Sequence, residues 1–288
     1  MSFLRVVILA VVQGLTELLP VSSSAHVIVA EKLMGMNPSA PEMTLLLVML
    51  HTGTMFSVIV YFWRRWRRAF FQSMPDFKRF AFALILATVL TGFVGGGLIE
   101  AIEKLAFRNS VHAWIEQWFS RLDLIAPALA AVGVLILAAA LLDRRSPPRQ
   151  VAASPMTMKQ AGLIGAVQGL CLPFRGFSRS GATISTGMLT RVPRVRAEDF
   201  SFALAVALTP PAIARETWRL IQVQHIHTSG NLISAVTPSI LGAIFAFLAG
   251  LLALKWLSSW LETGRWYLFG IYCLVAASVL GVLHHIGY

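Results

Sequence analysis

Charged side chains are scarce in this chain: Asp, Glu, Lys and Arg make up 13% of its 288 residues, about half the share found in soluble domains. With a hydrophobic fraction of 57% and a mean hydropathy of +0.71, that scarcity excludes a water-soluble globule and makes lipid the solvent. Long hydrophilic stretches are missing too, so a separate soluble domain is not expected. Cysteine is almost absent. Cys171 and Cys273, both in apolar surroundings, exclude a disulfide framework and a Cys-built metal site. Acidic residues number 13 against 24 Lys and Arg. The arginines cluster at the ends of apolar segments with no aromatic-interleaved basic region between them, so they read as topology signals and nucleic acid is not an expected partner. A basic n-region followed by a small-residue cleavage site is also lacking, because polar residues begin at Gln13, and the first hydrophobic stretch is therefore expected to be mature structure.

What is abundant is apolar sequence in long runs. A helix needs about 20 apolar residues to cross the hydrocarbon, and six stretches qualify, at about 43–63, 80–99, 124–142, 200–218, 234–256 and 266–286. Two further stretches, about 3–30 and 160–190, are interrupted by Pro, Gly, Ser and charged residues that a lipid-exposed helix would not tolerate. Each is expected to be a re-entrant helical hairpin. Residues 63–79 carry Arg64, Arg65, Arg67, Arg68, Lys78 and Arg79, which the positive-inside rule assigns to the cytoplasm. Residues 100–123, with Glu100, Glu103, Lys104, Arg108, Glu116 and Asp123, then fall outside. Residues 143–159, with Arg144, Arg145 and Arg149, fall inside, where the second hairpin also begins and ends beside Arg191, Arg194 and Arg196; both termini are expected outside.

The run AVVQGL starting at Ala10 recurs as GAVQGL starting at Gly165, a spacing of 155 residues, each copy shortly ahead of a Ser-rich turn. One hairpin plus three spans is an odd number of crossings, so the second copy is expected to lie upside down relative to the first. The expected fold is an all-α polytopic membrane protein, a single membrane domain built of two inverted repeats, residues 1–145 and 146–288. The hairpin tips would meet near the midplane and present helix N-termini to an anion.

The first tip reads QGLTELLPVSSSAH. Gln13 and Glu17, four apart, share a helical face; Pro20 ends that arm, and Ser22, Ser23, Ser24 and His26 open the next. Glu17 is the only acidic residue expected at membrane depth, where a carboxylate is costly and by default functional, either as a metal ligand or as a structural hydrogen bonder. The serines read as site donors or as helix caps. The second tip, residues 173–183, reads PFRGFSRSGAT and places Arg175 and Arg179 in an apolar stretch beside Ser178, Ser180 and Thr183. A guanidinium matches phosphate oxygens. The lesser alternative for Arg179 is pairing with Glu17 alone, and for Arg175 snorkelling to an interface competes evenly with substrate contact. A carboxylate, a hydroxyl beside an imidazole and an Arg–Ser–Gly anion cradle are the parts of a phosphoryl-transfer site.

QGLTELLPVSSSAH and RGFSRSGATISTGML, followed by SFALAVALTPP, resemble the undecaprenyl-diphosphatase family of bacitracin-resistance membrane phosphatases over nearly the whole chain. The resemblance implies dephosphorylation of undecaprenyl diphosphate in the bacterial inner membrane with a divalent metal, Mg²⁺ or Ca²⁺, at a site opening outward. It matches the acidic motif to Gln13 and Glu17, the nucleophile to Ser23, its activating histidine to His26, the phosphate grip to Ser178 and Arg179, and the motif's end to Thr183. Departures are Arg175 where the family usually has Pro, Ser24-Ala25 for its usual Thr-Gly, and Gln13 in place of Glu, which leaves the metal one negative charge fewer. The implied partners are a polyprenyl diphosphate lipid and the bilayer, with a homodimer as a further expectation. A lipid-phosphate flippase or anion transporter on the same repeat, and a non-catalytic lipid-binding homologue, are the competing readings.

Overall fold

A computed structural model describes residues 2–36, 41–106, 121–145, 156–226 and 232–286, and among them every regular element is helical. In chain order these are α1 Phe3–Leu18, α2 Ser23–Leu33, α3 Pro41–Phe70, α4 Met74–Ala106, α5 Leu122–Arg145, α6 Met158–Leu170, α7 Arg179–Leu189, α8 Arg194–Ile226, α9 Leu232–Glu262 and α10 Tyr267–His285. Five contain stretches long and apolar enough to cross a membrane: Met43–Phe70, Met74–Leu105, Leu122–Asp143, Val236–Glu262 and Tyr267–His285. The chain is a multi-pass membrane protein, all-helical in its regular structure among the described residues.

The sixth expected span, 200–218, is helical within α8 but is not among these five. Pro210, Pro211, Arg215 and Glu216 dilute its apolar run, and residues 200–205, its most apolar part, are buried inside the protein. The outer-loop residues Arg108 and Glu116, and Arg149 of the inner loop, lie outside the described residues. Glu100, Glu103 and Lys104, read as loop, belong to the last turns of α4, where Lys104 pairs with Glu100 one helical turn away.

Both expected hairpin stretches contain two short helices joined by a turn. The first break follows from Pro20: the residue before a proline is driven out of the α region, and Leu19 is extended (φ −71°, ψ 150°), so α1 stops at Leu18. Pro173 and Gly176 interrupt the second stretch between α6 and α7. α1 lies on α9, and α6 lies on α4. Each contact is at backbone distance. A Cβ on Gly14 would fall 2.6 Å from the Ala249 Cβ, and one on Gly169 2.8 Å from the Val94 Cβ, the small-residue packing by which apolar helices associate when lipid removes the hydrophobic drive. α7 is embedded more deeply, against α5, α6 and α8, and α5 pairs with α10. The largest core cluster runs through these helices and the end of α9, with Leu129, Ile136, Ile184, Phe202, Leu257, Trp266 and Cys273 among its buried members. At the end of this core, Arg194 at the start of α8 pairs with Asp143 near the end of α5.

Candidate active site

The two helical breaks meet at Glu17. On α1, Gln13 donates from Nε2 to Glu17 Oε2 at 3.1 Å. From the start of α2, the Ser23 hydroxyl donates to the same oxygen at 2.6 Å. From the start of α7, Arg179 Nη2 donates to Oε1 at 2.7 Å. His51 on α3 brings Nε2 to 3.7 Å from Oε2; its Nδ1 contacts the Leu47 carbonyl, which can only accept, so the proton sits on Nδ1 and Nε2 faces the site. One carboxylate thus joins two hairpins and a long apolar helix.

These groups line a cavity of about 230 Å³. Glu17, Ser22, Ser23, Ser24 and His51 form one side, and Arg175, Gly176, Ser178 and Arg179 the other, with Leu172, Phe174 and Phe177 as an apolar shoulder. α2 and α7 both begin at its edge, at Ser23 and Arg179. Their free N–H groups and positive dipole ends favour an anion there, and the guanidinium adds a full positive charge. The tips are tied to their surroundings. Ser180 Oγ donates to the Leu19 carbonyl at 3.2 Å, and Cys273 Sγ of α10 to the Pro20 carbonyl at 3.2 Å. Ser178 caps α7 by accepting from the Gly181 N–H at 3.3 Å. Gly176 stands at φ 102°, where a Cβ would lie 2.5 Å from the Ile125 carbonyl oxygen; only glycine fits that turn.

Several expected site residues stand outside the cavity wall. Gln13 is buried behind Glu17. Thr183 is fully buried, donating to the Arg179 carbonyl at 2.8 Å and sharing a 2.5 Å contact with Ser201 Oγ. It supports the turn that carries Arg179. His26 does not hydrogen-bond Ser23: Nδ1 contacts the Ser22 carbonyl at 2.8 Å and Nε2 the Tyr272 hydroxyl at 2.7 Å. His51 was missed in the sequence, although a lone histidine inside the apolar run LLLVMLHTGT is the kind of intramembrane ionisable residue that marks a site.

Glu17 is also not the only acid within the helical core. Glu198 on α8 is fully buried, accepting from Ser258 Oγ at 2.5 Å and from Arg65 Nη2 at 3.0 Å. Asp199 Oδ1 lies 3.0 Å from Arg65 Nε, off the N–H direction, an ion pair without a hydrogen bond. This cluster fastens α3 to α8 and α9. Glu31 near the end of α2 is buried as well. Among the described residues no group of three His, Cys, Asp or Glu converges in a way that could hold a metal by itself.

The family model described as bacitracin resistance protein BacA matches residues 6–279. Over 284 residues, 97% of each chain, the protein is 56% identical to undecaprenyl-diphosphatase 2 of Acinetobacter baylyi. It is 34% identical over 289 residues to undecaprenyl-diphosphatase 2 of Burkholderia orbicola and of Burkholderia lata, covering 96% of this chain and 95% of each relative. With the family match spanning nearly all of the sequence and these relatives aligned end to end, the chain belongs to the bacitracin resistance protein BacA family.

Proposed function

We propose that this protein is a phosphatase of the bacterial inner membrane that hydrolyses undecaprenyl diphosphate to undecaprenyl phosphate and inorganic phosphate, recycling the carrier lipid for cell-wall synthesis and conferring bacitracin resistance. The observation that carries the reading is the three-way contact at Glu17, where a serine hydroxyl and a guanidinium from two different hairpins meet one carboxylate beside an anion-favouring cavity. The relatives' names supply the substrate.

In this reading Leu172, Phe174 and Phe177 bear the first isoprenyl units, and the diphosphate enters between the starts of α2 and α7. Arg179 and Ser178 grip the terminal phosphoryl oxygens. Ser23 Oγ attacks the terminal phosphorus while its proton passes to Glu17 Oε2, to which it already points at 2.6 Å. The bond from phosphorus to the bridging oxygen breaks, and undecaprenyl phosphate leaves. Water then hydrolyses the phosphoseryl ester to give inorganic phosphate and free Ser23. Arg179 and the N–H groups of the helix starts stabilise the charge that develops in both steps.

A divalent metal, Mg²⁺ or Ca²⁺, belongs to the proposal. Both Glu17 oxygens face groups that a bound diphosphate would rearrange, and one carboxylate suits an ion held mainly by substrate phosphates and water rather than by a protein cage. When bound, the ion would neutralise phosphate charge. Two inverted repeats also belong to it, supported by reciprocal packing: α1 on α9 is matched 155 residues later by α6 on α4. Such repeats also build transporters. A carrier needs Glu17 and Arg179 but no hydroxyl aimed at the carboxylate, so Ser23 favours the enzyme. Detergent-solubilised protein, which has no membrane sidedness, is expected to release phosphate from C15 to C55 prenyl diphosphates. Absence of release from all of them, with and without Mg²⁺, would refute the enzyme.

A further inference from the structure

Neither ring nitrogen of His26 is left for Ser23. The Ser22 carbonyl, 2.8 Å from Nδ1, can only accept, so Nδ1 carries the proton. In the neutral ring Nε2 is then an acceptor, and Tyr272 donates its hydroxyl to it at 2.7 Å. The two rings stack with centroids 5.7 Å apart and 16° between planes. Both histidine nitrogens are spent inside a chain that runs from α10 to the tip of the first hairpin.

What lies at the end of that chain is a strained residue. Ser22 has φ 67° and ψ 98°, a conformation that L residues hold only when their surroundings impose it. Its side chain does not cap α2, and its hydroxyl shares a 3.3 Å contact with Ser24 instead. The tie on its carbonyl is the hydrogen bond made at Ser22 itself, within a turn also held by the Val21 N–H donating to the Leu19 carbonyl at 2.8 Å, and the next residue is Ser23, whose hydroxyl direction depends on that turn. A second tie comes from the same helix: Cys273, next to Tyr272, holds the Pro20 carbonyl. α10, packed along α5, acts as a strut for residues 20–22.

We propose that His26 and Tyr272 are positioning residues, a clamp that holds Ser22 in its left-handed conformation and so aims Ser23 at Glu17, and that His26 is not the base that activates the nucleophile. This rests on Ser23 being the nucleophile of the proposed phosphatase. Asn places an amide N–H where His26 carries Nδ1–H, whereas Gln places its amide at the Nε2 position, out of reach of the Ser22 carbonyl.

The test is phosphate release from undecaprenyl diphosphate by purified full-length protein. His26→Asn is expected to stay within about tenfold of wild-type kcat, while His26→Ala and His26→Gln fall about a hundredfold or more with KM within about twofold. Tyr272→Phe, which keeps the stacking and loses the hydroxyl, should lower kcat about fivefold in the wild-type background and by less than about twofold in the His26→Asn background, where no Nε2 remains to receive it. A His26→Asn variant as inactive as His26→Ala, with wild type active and Ser23→Ala inactive, overturns the clamp alone, because imidazole chemistry is then required. Equal costs of Tyr272→Phe in the two backgrounds also overturn it. Normal turnover by Ser23→Ala would instead remove the nucleophile, and the clamp with it.

Discussion

The hairpins α1–α2 and α6–α7 carry the same Gln-Gly-Leu run, at residues 13–15 and 168–170, and use it differently. Gln13 donates to Glu17, but 155 residues on from Glu17 is Leu172, and Gln168 turns instead to Thr91 Oγ1 on α4 at 3.3 Å. Ser23 and Ser178 are likewise 155 apart. Ser23 donates to a carboxylate in the cavity, whereas Ser178 accepts from a backbone N–H and caps its helix. His26 stands where the second copy has Gly181. Burial follows the same division: residues 180–188 of α7 are buried throughout, while α2 buries only Ala25, Val27 and Glu31. One hairpin is set in the core and holds a charge rigidly. Its counterpart is less buried and holds the hydroxyl proposed to react, a division that fits the proposal, in which the anion cradle is preorganised before charge develops.

The sharpest way to break this comparison is to remove the groups that meet at its centre. Ser23→Ala, Glu17→Ala and Arg179→Ala are each expected to lower phosphate release by about 10³-fold or more, as measured with malachite green on purified protein. Near-normal activity in any one of them would show that the two tips do not share the work. Metal removal comes next: chelation should cut the rate by about a hundredfold and Mg²⁺ or Ca²⁺ should restore it, and an unaffected rate would take the ion out of the proposal. Ser178→Ala then tests whether equivalent serines are unequal. It loses a helix cap and one phosphate-gripping hydroxyl but no nucleophile, and should cost about tenfold in turnover. A loss as deep as that of Ser23→Ala would make Ser178 the equal of Ser23 in the bond-breaking step. The smallest effect on catalysis belongs to Thr183→Val, which strips the buried contact with Ser201. It should lower stability by about 1–3 kcal/mol, read as a lower thermal midpoint in detergent, while kcat changes by less than about twofold.

Much of the scaffold was legible. Apolar run length located α3, α4, α5, α9 and α10, and Pro20 marked the end of α1, because both features act through local sterics and hydration. The stretch 200–218 is helical as expected but falls outside the five apolar spans, because Pro210, Pro211, Arg215 and Glu216 dilute its apolar run. The site was legible as a list of residue types and less so as contacts. Glu17, Ser23 and Arg179 stood out as polar groups in apolar stretches, yet His51 did not, being a single residue inside an otherwise good span. The family resemblance matched His26 to the residue that activates Ser23. The left-handed Ser22 turn and the Tyr272 hydroxyl 246 residues away direct that ring elsewhere.

By itself the sequence determined that this protein lives in lipid, that its helices break at two Ser-rich turns 155 residues apart, and which few polar groups could do chemistry. Each follows from properties a residue carries with it: transfer free energy, backbone restriction at proline, and charge. Only the tertiary structure decided that Arg179 reaches Glu17 across 162 residues, that Glu17 accepts from Ser23, and that His26 is taken by α10. Those contacts depend on directions set by a strained turn and by close glycine packing, where a shift of a few ångströms exchanges one hydrogen-bond partner for another.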